Sequence, residues 1–77
     1  MPYSAYVLLS STVGEEENVR RELLKIKGVR SAKTTFGAYN NMAVLEGESV
    51  DELIDLVINK IRRIPSVEKT QTLIAKK

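Results

Sequence analysis

The chain repeats itself weakly with an offset of 38 residues: Val19, Leu23, Ile26, Val29 and Thr34 recur as Val57, Ile61, Ile64, Val67 and Thr72. Two copies are too few for a solenoid. They suit a fold built from two βαβ halves, a ferredoxin-like βαββαβ sandwich. That α+β architecture has one four-stranded antiparallel sheet with both helices on one face. Local signals define each half. Tyr3 to Ser10, with Tyr6, Val7, Leu8 and Leu9, predicts the first strand. A helix is expected over Glu15–Lys27, where Val19, Leu23 and Ile26 share one face. Its acidic first turn and basic last turn suit the helix dipole, and Gly28 suits its end. Val29 to Phe36 predicts a second strand, polar enough for an edge, and Asn41 to Glu46 a third. Ser49-Val50-Asp51-Glu52 is a capping box that opens a second helix running to about Arg63. Leu53, Val57, Ile61 and Ile64 form its buried stripe, and Pro65 stops it. Val67 to Lys76 predicts the last strand.

With helices on one face, the other sheet face should be polar. It reads as apolar. In the first strand Ala5, Val7 and Leu9 alternate with Tyr6 and Leu8, and in the third Met42 and Val44 alternate with Ala43 and Leu45. A sheet that is apolar on both faces needs a second cover, which a homodimer packed sheet to sheet supplies. Tyr6, Leu8, Met42, Val44 and Ile74 are the expected interface residues.

Seventy-seven residues make one domain, 1–77, whose core is too small to be generous. Small cores are often supplemented by disulfides, metals or oligomerisation. Cysteine and histidine are both absent, which removes disulfides, thiolate and imidazole metal sites, and Ser-His or Cys-His catalysis. No metal, cofactor or catalytic residue is expected, and the chain reads as a non-enzyme. Twelve basic and ten acidic residues are interspersed, leaving no strong nucleic-acid footprint. No export signal or long apolar run appears, so a cytoplasmic location and no membrane partner are expected. The richness in Lys, Glu, Arg, Ile and Val, with a single Gln, resembles thermophile composition.

The candidate ligand site is the turn Thr35-Phe36-Gly37-Ala38-Tyr39-Asn40. Gly37 can take a positive φ without steric cost. The backbone N–H groups of Gly37 and Ala38 can serve a carboxylate. The Asn40 carbonyl can accept from an ammonium, and Tyr39 can wall the pocket. The plainer reading is a structural hairpin turn, in which Asn40 caps its own backbone and Tyr39 packs on the sheet rim. Thr70 and Thr72 share one sheet face, though threonine is an ordinary strand residue. Glu15-Glu16-Glu17 reads as a solvated helix start, with Glu16–Arg20 and Glu17–Arg21 as ion pairs.

Three stretches resemble one family. Gly37-Ala38-Tyr39-Asn40 resembles its Gly-x-Tyr-Asp turn. Lys60-Ile61-Arg62-Arg63-Ile64-Pro65-Ser66-Val67 resembles its Ile-x-x-Ile-Pro-Gly-Val helix exit. Val67-Glu68-Lys69-Thr70-Gln71-Thr72 resembles its final strand, Val-x-x-Thr-x-Thr. The chain thus resembles a stand-alone ligand-binding (RAM) domain of the leucine-responsive regulatory protein/AsnC family. Asn40 replaces the usual aspartate, and Ser66 the usual glycine. The helix-turn-helix domain of full family members has no room here, so no direct nucleic-acid partner is expected. The resemblance implies sheet-to-sheet dimers that assemble further, into an octamer or similar ring. It implies an amino acid effector bound where dimers meet, at Gly37, Ala38, Tyr39, Asn40, Thr70 and Thr72, and co-assembly with full-length relatives.

Two other classes compete. Small dimeric α+β barrel monooxygenases share the topology but often need a histidine. RNA binding through an open sheet needs aromatics on the central strands, and Asn41 to Glu46 has none. The Gly14-Glu15 turn is similar to that of the amino-acid-binding ACT domain, over few residues.

Overall fold

The computed structural model describes residues 1–77. Its elements are β1 (Tyr3–Ser11), α1 (Glu16–Leu24), β2 (Val29–Thr34), β3 (Asn41–Gly47), α2 (Val50–Asn59), a 3₁₀ turn (Ile61–Arg63) and β4 (Val67–Lys76). The strands form one antiparallel sheet in the order β2-β3-β1-β4. This is the ferredoxin-like α+β fold expected from the repeat.

The core lies between the sheet and the helices. Ala5, Val7, Leu9, Ala32, Ala43 and Leu45 project from the sheet, and Val19, Leu23, Leu53, Leu56, Val57 and Ile61 meet them. The β1 alternation is therefore as expected: Ala5, Val7 and Leu9 are fully buried, while Tyr6 is 43% exposed on the other side. The expected interface list needs one correction. Ile74 is opposite Ala5 and packs against the core, so it belongs to the helix-covered face. Leu73 is opposite Tyr6 and is 60% exposed, so it is the open-face residue of β4.

Both helices stop earlier than their apolar periodicity indicates. The last turn of α1 tightens: Lys25 and Ile26 donate to Glu22 and Leu23, three residues back. Gly28 then takes φ +104°, and a Cβ there would come within 2.6 Å of Leu56 Cδ1. Position 28 thus needs glycine both for its backbone and for the space that Leu56 fills. The second helix breaks at Lys60, with φ −121° and ψ −58°, and resumes as the 3₁₀ turn. Ile64 is extended at φ −65° and ψ 125°, as the residue before a proline prefers. At the start of α2, the Ser49 hydroxyl accepts from the Glu52 N–H at 3.1 Å. The Glu52 carboxylate reaches back one residue further than a standard capping box, to the Glu48 N–H at 3.0 Å.

Candidate functional site

The chain folds so that the start of α1 and the β2–β3 turn come together at one end of the sheet. β2 ends at Thr34, two residues before the expected Phe36, because Thr35 turns to close the loop. Its N–H donates to the Asn40 carbonyl at 3.1 Å, and its hydroxyl to the Tyr39 carbonyl at 2.8 Å. Gly37 occupies φ +122°, with no atom within 4 Å of a hypothetical Cβ. Its glycine is therefore required by the backbone conformation rather than by space. The N–H groups of Phe36, Gly37, Ala38 and Tyr39 have no backbone acceptor in the chain. Between this turn and α1 lies a cleft of about 490 Å³, lined by Glu16, Glu17, Thr34, Thr35, Phe36, Gly37 and Asn40.

The structure places the expected site residues unequally. Gly37 and Asn40 line the cleft; Ala38, exposed, and Tyr39, half-buried, do not. The Asn40 amide is engaged within the chain. Its Oδ1 accepts from the Ser11 N–H at 3.0 Å and the Ser11 hydroxyl at 3.1 Å, and its Nδ2 donates to the Ser11 carbonyl at 3.3 Å. A carbonyl oxygen has two lone pairs, so the acceptor expected to meet an ammonium is already saturated. Thr70 and Thr72 are opposite Leu9 and Val7 on β1. They stand at the far edge of the sheet from β2, and within one chain they do not reach the turn.

Reading the residues in order missed the glutamates. Glu16 and Glu17 form the opposite lip of the cleft. Glu17 forms two hydrogen bonds with Arg20, at 2.9 and 2.6 Å, and a longer ion pair with Arg21 at 3.5 Å. The Arg20 hydrogen bond holds the Glu17 carboxyl below its usual value. The expected Glu16–Arg20 pair does not form, since Glu16 accepts from the Gly14 N–H instead, at 3.1 Å. No periodicity links positions 16–17 to 34–40; only the α1 crossover brings them together. Asn41 was missed too. It is fully buried between Leu9 and Thr34 in the sheet, and neither atom of its amide has a partner.

Residues 4–77 match the Lrp/AsnC ligand binding domain family. The chain belongs to the Lrp/AsnC family. Among solved structures, this Lrp/AsnC domain is similar to the hypothetical protein PHS023 from Pyrococcus horikoshii. The two are 29% identical with a TM-score of 0.88, over 95% of this chain and 88% of that one. It is also similar to TTHA0845 from Thermus thermophilus, at 25% identity and a TM-score of 0.90, covering 97% and 94% of the two chains. E. coli AsnC shares the fold at 24% identity and a TM-score of 0.87; the Lrp/AsnC domain covers 96% of its own length but 50% of that chain. No curated protein matches. The family is regulatory. No helix here is long and apolar enough to cross a membrane.

Proposed function

We propose that this domain is a non-enzymatic module that binds a small amino acid, or a related metabolite, and assembles with itself and with full-length relatives to modulate transcription regulators in the cytoplasm. The ligand sits in the cleft between α1 and the β2–β3 turn. One observation carries this reading: the turn's unbonded N–H groups stand across a ligand-sized cleft from the Glu16 carboxylate. The N–H groups of Phe36 and Gly37, the two unbonded donors whose residues line the cleft, suit a carboxylate. Glu16, whose one bond in the chain comes from the Gly14 N–H, suits an ammonium and takes the role that Asn40 cannot fill. A cleft of about 490 Å³ lies within the range that small ligands occupy. A fold relative, the transcriptional regulator NMB0573 from Neisseria meningitidis, was solved as a complex with L-Met, and that supports an amino acid as the ligand class. Dimerisation runs through the open sheet face, and dimers build a higher ring.

A thermal-shift screen of the twenty amino acids tests the ligand, because binding to the folded state alone raises Tm. At least one amino acid should raise it. Calorimetry on Glu16→Gln should then show roughly tenfold weaker binding, the loss of one charge-assisted hydrogen bond. No response to any amino acid, or undiminished binding by Glu16→Gln, overturns the reading.

A further inference from the structure

Asn41 stands at a position that the alternation of β3 reserves for an apolar side chain. Asn41, Ala43, Leu45 and Gly47 are the buried set of that strand, and Ala43 and Leu45 belong to the core. Asn41 is 0% exposed, yet neither its Oδ1 nor its Nδ2 has a hydrogen-bond partner. A side-chain amide offers two donors and two lone pairs, and buried polar groups are nearly always paired. A residue that breaks a packing rule with no structural return is characteristic of a functional site.

The sheet register places this amide beside the cleft. Asn41 is opposite Leu9 on β1 and Thr34 on β2. Residues directly opposite in an antiparallel pair project from the same face, with Cβ atoms about 5 Å apart. Leu9 lies in the core, so that face is the helix-covered one. Thr34 lines the cleft between α1 and the β2–β3 turn. The Asn41 side chain is therefore one strand inward from the cleft wall, at the seam between cleft and core. Thr34 is exposed, and turning its side chain aside is a rotamer change of the kind that binding commonly brings. The other polar side chains of the cleft are committed. The Asn40 amide is bonded to Ser11 and the Glu17 carboxylate to Arg20. With Glu16 serving the ammonium and the turn N–H groups the carboxylate, the inner wall is left for the ligand's side chain.

We propose that Asn41 is the specificity-determining residue of this site, and that the ligand's side chain ends in a carboxamide, as in asparagine or glutamine. The inference rests on the reading of the cleft as an amino acid site. A carboxamide gives and takes hydrogen bonds from two separate atoms, so it meets Oδ1 and Nδ2 of Asn41 together. A carboxylate only accepts and an ammonium only donates. A hydroxyl does both from a single atom and cannot span the two, and an aliphatic chain satisfies neither. A site with buried hydrogen-bonding groups rejects a ligand that leaves them unpaired far more strongly than an apolar pocket rejects a change of size. Asn41 thus lowers the stability of the chain and contributes the choice of ligand.

Asparagine and leucine have nearly the same shape, as do glutamine and methionine, so each pair isolates the polar end of the side chain. Calorimetry on the unmodified protein should find, in at least one pair, that the amide binds roughly tenfold or more tightly than its apolar counterpart. Aspartate and glutamate should bind no better than the apolar members. In Asn41→Leu, with an unchanged far-ultraviolet dichroism spectrum, that ratio should fall to about one. The side-chain N–H signals of Asn41 in nitrogen-15 NMR, identified by their loss in Asn41→Leu, should shift when the amide ligand is added and stay in place with leucine. Leucine and methionine bound as tightly as asparagine and glutamine overturn the proposal and leave the amino acid site standing. So does an amide preference that survives in Asn41→Leu. Failure of every amino acid to bind overturns the reading of the cleft itself, and the proposal with it.

Discussion

Asn40 and Ser11 hold each other through three hydrogen bonds, from the Ser11 N–H at 3.0 Å and hydroxyl at 3.1 Å to Asn40 Oδ1, and from Asn40 Nδ2 to the Ser11 carbonyl at 3.3 Å. The side chain of the turn thereby clasps the end of β1, 29 residues away. An asparagine can do this because its amide both donates and accepts; an aspartate only accepts.

Asn40→Asp therefore places a carboxylate against the Ser11 carbonyl and removes the donor. Chemical denaturation should show a loss of about 1–3 kcal/mol, the range for a broken, partly buried hydrogen bond. Amino acid affinity should not increase, because position 40 serves the fold.

Asn41 is buried with both amide atoms unpaired, and an unsatisfied buried polar group destabilises. Asn41→Leu, close in size and apolar, should raise stability by about 1–2 kcal/mol. An unchanged or lowered denaturation midpoint refutes this account.

Ser66 occupies φ +82°, where its carbonyl accepts from the Thr12 N–H at 2.9 Å. An L-residue in this left-handed region is strained by about 1–2 kcal/mol. Glycine relieves the strain but loosens the unfolded chain by about 0.4–1 kcal/mol. Ser66→Gly should accordingly stabilise by up to about 1 kcal/mol, visible as a higher melting temperature.

Acid should weaken the fold through two carboxylates. Glu17 is held low by its hydrogen bond from Arg20, and Glu46 by that from Lys77, at 2.7 Å, with Arg30 at 2.9 Å. Both carboxyls bind protons less readily folded than unfolded. Their contribution is present above the unfolded value of 4.5 and is lost as pH falls below it. Denaturation midpoints measured from pH 6 downward should fall in that window. Glu17→Gln with Glu46→Gln should flatten the decline, and an equally steep limb in that variant counts against it.

On the open face, Leu73 and Val44 flank Tyr6 on its two sides. If this face is the dimer contact, Val44→Asp or Leu73→Asp should release folded monomer in sedimentation at micromolar concentration, whereas Ile74→Asp should unfold the chain by charging its core face. Unmodified protein that sediments as a monomer refutes the contact.

Strand and helix order, the buried alternation of Ala5, Val7 and Leu9, and the extended Ile64 before Pro65 were legible in the sequence, whereas the break of the second helix at Lys60 was not. They rest on local physics: side chains alternate every two residues in a strand and recur every three or four in a helix, and proline restricts its predecessor. The same reading put Ile74 on the wrong face. In β4 Leu73 and Ile74 are both apolar, so composition cannot choose between them, and only the pairing with Ala5 and Tyr6 decides. The candidate site divides in the same way. Gly37 announces its turn because only glycine takes that φ cheaply. That Asn40 spends its amide on Ser11, that Glu16 faces the turn, and that Thr72 stands at a free edge depend on the β2-β3-β1-β4 order, which sets distant segments side by side. Local propensity acts over a few residues, whereas these contacts span tens of residues and exist only once the sheet has closed.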